Sequence, residues 1–174
     1  MFLIKTKKDE ILDVVYILDR SGSMSDVEEE TIKGYNSYIN GQRENKVRLT
    51  TILFDDKYEV LTSALDIKKV KELTNKTYYT RGCTALYDAI GKTITTLNSK
   101  NPNKVLFIIN TDGYENASEE YDKKKIKKLI TSHKDWEFMY IGANIDSYAE
   151  ASSIGIKASN TANYKKDKKG TRIL

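Results

Sequence analysis

Residues Ile11 to Asp19 read I-L-D-V-V-Y-I-L-D, an apolar and β-branched run broken only by Asp13 before it ends on an acid. A strand that is apolar at nearly every position, rather than at alternate ones, has to be covered on both faces, as a central strand is when helices lie above and below its sheet. A second run of this kind, Lys104 to Asn110 (K-V-L-F-I-I-N), is followed by Thr111-Asp112-Gly113. A chain of 174 residues can bury a core on both faces of such a sheet. The expectation is one domain over 1–174, with its core at about 11–155 and a polar, Lys-rich C-terminal segment over 156–174.

Helical signals alternate with the strands. After the Ser/Gly turn of Ser21 to Ser25, Asp26 is placed to cap a helix that carries Glu28, Glu29 and Glu30 in its first turn and runs to about Asn40, with Gly41 beyond its end. Thr84 to Leu97 repeats apolar residues near a 3.6-residue period, at Ala85, Leu86, Ala89, Ile90, Ile94 and Leu97. Ser118 is expected to start a further helix, with Ile126, Leu129 and Ile130 as its apolar face, and Ser147 to Ser153 a short one. Lys46 to Phe54, Tyr58 to Ile67 and Trp136 to Ile141 read as strands, and the short Asp55-Asp56 junction makes the first two a hairpin. The fold class is therefore α/β: a doubly wound, mostly parallel central sheet with one antiparallel edge strand and helices on both faces. In such sheets ligands bind at the carboxyl ends of the strands.

Composition narrows the classes of function. With 39% hydrophobic and 31% charged residues, and no apolar run near the roughly 20 residues that span a bilayer, no membrane role is expected. The formal charge of +4, from 29 basic and 25 acidic residues, is a small excess and argues against a nucleic-acid partner; the Lys123 to Lys128 run reads as the solvated side of an amphipathic helix. Cys83 is the one cysteine, so there is no internal disulfide, and Met1 to Lys5 lacks the pattern of a secretory signal. A cytoplasmic protein is the expectation.

The chemistry concentrates where the two buried strands end. Asp19-Arg20-Ser21-Gly22-Ser23 places three oxygen-bearing side chains on a strand-to-helix turn, and Asp112 follows the other strand. If the strands are neighbours, two carboxylates and two hydroxyls meet at the sheet edge. Such hard oxygen ligands, with no Cys/His cluster near them, select Mg²⁺, Mn²⁺ or Ca²⁺ over Zn²⁺. Mg²⁺ takes six ligands and keeps several waters, which leaves a position open to a partner.

Asp19, Ser21, Ser23 and Asp112, with Thr84 opening a helix between them, resemble the metal-ion-dependent adhesion site of von Willebrand factor A domains, and the likeness covers roughly Ile11 to Gly155. The resemblance implies a Rossmann-like fold in which Ser21, Ser23 and Thr84 bind Mg²⁺ directly, Asp19 and Asp112 act partly through water, and a Glu or Asp of another protein completes the coordination. It is to small intracellular members of bacteria and their viruses. Many members have paired glycines and a doubled threonine where this chain has Tyr79-Thr80-Arg81-Gly82-Cys83-Thr84, so Thr80 is the alternative to Thr84. Arg20 and Arg81 flank the expected metal and either steer an acidic ligand or offset the aspartates. Cys83 is expected to pack at the tight turn. Glu115 and Asn116 read either as loop and helix-capping residues or as support for the ion.

Two other functions compete with a non-catalytic interaction module. One is a Mg²⁺-dependent phosphotransfer or hydrolytic enzyme with Asp19 as nucleophile, which the turn disfavours because it offers no second nearby acid and no phosphate-binding G-x-x-x-x-G-K-[ST] loop. The other is RNA binding through the twelve tyrosines, which are scattered rather than grouped.

Overall fold

The computed structural model describes residues 10–112, 115–142 and 146–163. Six strands, β1 (Leu12–Asp19), β2 (Val47–Phe54), β3 (Tyr58–Asp66), β4 (Val105–Thr111), β5 (Glu137–Gly142) and β6 (Thr161–Asn163), form one sheet in the order β3-β2-β1-β4-β5-β6. β3 pairs antiparallel with β2, and every other pair is parallel. Four α-helices accompany them: α1 (Glu28–Gly41), α2 (Leu86–Asn98), α3 (Lys123–Ser132) and α4 (Ser147–Ser153).

All eight residues of β1 are buried, as are all seven of β4. Alternation splits them between two cores. Val15 and Ile17, with Phe107 and Ile109, face Ile90 and Ile94 of α2 and Ile126 and Ile130 of α3. Val14, Tyr16 and Leu18, with Leu106 and Ile108, face Tyr35 and Ile39 of α1. Asp13, the one early interruption of the apolar run, is matched across the β1–β2 register by Arg48, whose Nε and Nη2 each donate to its carboxylate at 2.8 Å. Among the described residues, no helix is long and apolar enough to cross a membrane.

Several boundaries differ from the sequence reading. Asp26 does not cap α1: Gly22–Val27 winds as a 3₁₀ turn anchored by the buried Met24 and Val27, and α1 begins at Glu28 with Val27 at its cap position. α1 also runs through Gly41 instead of stopping before it. β3 ends at Asp66, because Ile67 turns into the core and opens a 3₁₀ turn. α2 starts at Leu86 rather than Thr84. The third helix begins at Lys123, not Ser118, with the Asp122 side chain accepting the Lys125 amide at 2.8 Å. β6 lies in the polar stretch that the sequence left without structure. Met1 to Lys5, Gly113 and the part of the Lys-rich segment beyond Asn163 lie outside the described residues.

Candidate metal site

β1 and β4 are neighbours, in register from Asp13↔Val105 to Leu18↔Asn110, so their carboxyl ends lie side by side. Strand order reverses here, with β2 on one side of β1 and β4 on the other, which is the switch point where α/β sheets open a crevice. Four of the five expected metal residues are joined at this point. Ser21 and Ser23 hydroxyls lie 3.1 Å apart, and Ser23 Oγ donates to Asp112 Oδ1 at 3.0 Å. The Ser21 amide donates to Asp19 Oδ1 at 2.7 Å, which folds the turn back on the strand end.

Asp19 is fully enclosed, at 0% exposure, and its carboxylate is held by neutral donors: the Ser21 amide and the Thr111 hydroxyl, which reaches Oδ2 at 2.6 Å. Burial pushes the Asp19 carboxyl up to about 6; the hydrogen bonds from Thr111 and Ser21 oppose this, and the Asp112 charge adds to it. Tyr78 fixes the same residue from its other side, donating its hydroxyl to the Asp19 carbonyl at 2.6 Å. Thr111 and Tyr78 escaped the sequence reading. Thr111 left a trace, a hydroxyl residue closing an otherwise apolar strand, whereas the Tyr78 contact spans 59 positions and left none.

Thr84 is buried on the neighbouring loop, and its bonds run through its backbone: its amide donates to Asn116 Oδ1 at 2.9 Å, and its carbonyl accepts from the amides of Asn116 and Ala117 at 3.0 and 3.1 Å. Thr80 is engaged elsewhere, since its amide and hydroxyl both donate to Glu28 Oε1. The loop that carries both threonines lies along the motif, with the Arg81 amide on the Arg20 carbonyl at 2.7 Å and the Gly22 amide on the Gly82 carbonyl at 3.0 Å. Gly82 makes that approach at φ +69°, a conformation other residues rarely adopt.

Neither arginine offsets the site aspartates. Arg20 is 1% exposed and turns toward Asp55 and Glu59, at 3.4 and 2.8 Å, while Arg81 Nε donates to Asp55 Oδ2 at 2.7 Å. Asp55, itself fully buried, is the acid they neutralise. Cys83 is exposed and does not pack into the turn.

The donor set can be tested against a cation by its chemistry. The hydroxyls of Ser21 and Ser23 and the carboxylates of Asp19 and Asp112 are hard oxygen donors, with no sulfur or ring nitrogen joined to them among the described residues. The residues present fit a small, hard divalent ion.

Fold and site together define a doubly wound α/β domain with an all-oxygen cluster at its switch point. A family model for the von Willebrand factor type A domain matches residues 13–171, and the chain belongs to that family. Among solved structures it is similar to the manganese-loaded TRAP protein of Plasmodium vivax, with a TM-score of 0.68 and 18% identity over 90% of this chain and 69% of that one. It is similar also to the PilB minor pilin of Streptococcus sanguinis (TM-score 0.69, 11% identity, 93% and 58%). A third likeness is to proximal thread matrix protein 1 of the mussel byssus (0.66, 16%, 90% and 42%), so the chain spans less than half of that protein. A search of curated protein sequences finds no match.

Proposed function

We propose that this domain is a non-catalytic protein-interaction module whose grip depends on a divalent metal, Mg²⁺ or Mn²⁺. The observation that carries the reading is the hydrogen-bonded run of oxygens from Ser21 through Ser23 to Asp112, beside the enclosed carboxylate of Asp19. Ser21, Ser23 and Thr84 would hold the ion, and Asp19 and Asp112 would supply charge and orient its water. When bound, the metal supplies a Lewis-acidic position for a Glu or Asp of another protein, a charge-assisted contact. A cation would also relieve the cost of burying Asp19, which burial otherwise drives toward its protonated form. The manganese in the TRAP structure supports the choice of a hard ion.

The enclosure of Asp19 supports a binding role over a catalytic one. A carboxylate nucleophile has to present an oxygen to its substrate, whereas both oxygens of Asp19 accept hydrogen bonds from the turn and from Thr111. Tyr16, Tyr35, Tyr78, Tyr87 and Tyr140 are buried, which removes them from any stacking surface for RNA. A cytoplasmic location fits the lone cysteine and stays part of the proposal.

Calorimetric titration of Mg²⁺ and Mn²⁺ into chelator-treated protein tests the site, beside a double variant, Ser21→Ala with Ser23→Ala. The expected result is saturable one-site binding that the variant abolishes. Wild-type protein that takes up neither ion, alone or with an acidic partner present, overturns the reading.

A further inference from the structure

We infer that Asn116 is a positioning residue for the metal: it sets the orientation of Thr84 and ties that residue's loop to the loop of Asp112. The inference rests on the metal reading above and adds to it a residue that makes no contact with the ion.

Thr84 precedes α2, and the helix does not fix it. Ala85 sits at the cap position with φ −96° and ψ 62° and gives no side-chain cap. What fixes Thr84 is a clamp at two points, with Asn116 Oδ1 on the Thr84 amide and the Asn116 and Ala117 amides on the Thr84 carbonyl. A residue held at both its N–H and its C=O has little freedom left in its peptide planes, so the direction of its Cβ is set and with it the reach of the hydroxyl. Asn116 stands four positions after Asp112, so the clamp also links two of the expected metal residues that lie on different loops.

Neighbouring bonds extend the clamp into a strap. Glu115 accepts the Tyr87 amide at 3.0 Å and also the Ala117 and Ser118 amides, so α2 is capped by a side chain that arrives from the end of β4. Asp88 of α2 answers by accepting the amides of Glu119, Glu120 and Tyr121 at 2.8, 3.0 and 2.8 Å. The start of α2 and the segment after Asp112 are thereby one unit, and Asn116 is the member of it whose side chain bonds to Thr84.

Asn116 is exposed, so truncating it leaves no cavity. Asn116→Ala removes the side-chain acceptor, and Asn116→Asp keeps one. Two readouts are needed: Mn²⁺ affinity by calorimetry, and hydrogen exchange of the Thr84 amide by NMR in metal-free protein. Asn116→Ala is expected to weaken Mn²⁺ binding about ten- to a hundredfold and to speed exchange at Thr84; Asn116→Asp restores both. Asp122→Ala, which removes the cap of α3 away from the site, serves as the control for simple destabilisation and leaves Mn²⁺ affinity unchanged. Wild-type affinity or unchanged Thr84 exchange in Asn116→Ala overturns the inference. Wild-type protein that binds no Mn²⁺ overturns the metal reading and this inference with it, even where exchange at Thr84 still reports the clamp.

Discussion

At Asp19 the folded chain keeps a carboxylate out of water with bonds from two neutral donors, the Ser21 amide and the Thr111 hydroxyl. Each donor therefore matters more than a surface hydrogen bond would, because a buried acceptor that loses its partner keeps its full desolvation cost. Thr111 gives the cleaner test, since Val has nearly the same shape. Thr111→Val should destabilise the metal-free protein by about 1–3 kcal/mol, read as a lower urea midpoint at unchanged slope. Added Mg²⁺ should recover part of that loss, since a cation offsets the same buried charge. A variant as stable as wild type in chelator would mean that the Thr111 hydroxyl contributes nothing to holding Asp19. The motif residues themselves were legible in the sequence because they are local, D-x-S-x-S on one turn and an Asp after the second apolar strand. Tyr78 was not, because it acts on a residue 59 positions away and belongs to no pattern of neighbours; Asn116 stood out by its place after Asp112, but its pairing with Thr84, 32 positions away, did not.

The strap after β4 explains where α3 begins. Ser118 has the composition of a cap, but its hydroxyl accepts from Asp88 of α2 and donates to Glu115, and the next three amides go to the Asp88 carboxylate. With those donors satisfied from outside, residues 118 to 121 have no need of helical bonds, and the helix starts only after Asp122 supplies a cap of its own. Propensity cannot see this, since the competing acceptor lies on another helix. The long apolar and periodic segments were legible for the opposite reason: their burial is decided by their own side chains, as in β1, β4 and the inner face of α2. The strap also leaves a mark on α2. Gly91 is mid-helix, where Ala is ordinarily better by about 1 kcal/mol, yet a Cβ there would stand 2.3 Å from the Tyr121 ring. Gly91→Ala should accordingly cost about 1–3 kcal/mol through overpacking, while in a Tyr121→Ala background the same change should stabilise. Thermal unfolding of the four proteins of that cycle checks the reversal of sign. Destabilisation in both backgrounds would show that Tyr121 is not what keeps position 91 a glycine.

For the whole molecule, the site is assembled from segments far apart in sequence, the turn after β1, the loop before α2 and the end of β4. An unfolded chain cannot present these groups together, so a metal held here would bind the folded state alone and its binding free energy would add to stability. At a hundred times its dissociation constant, Mg²⁺ should stabilise the domain by about 2.7 kcal/mol. For a chain of this size each kcal/mol moves the melting temperature about 2–4 °C, giving a rise of roughly 5–11 °C that the Ser21→Ala, Ser23→Ala variant should lack. The donor set makes the expected effect selective. Ca²⁺ takes about six to eight oxygens and commonly engages a carboxylate through both of its oxygens, whereas Ser21 and Ser23 offer single hydroxyls and both oxygens of the enclosed Asp19 already accept hydrogen bonds. Filling a Ca²⁺ shell would require Asp19 to give up its Ser21 and Thr111 bonds. Thermal scans at matched concentrations should therefore rank Mg²⁺ and Mn²⁺ well above Ca²⁺. An equal shift with Ca²⁺ would mean that those bonds yield easily, and that the site adapts to the ion instead of selecting it.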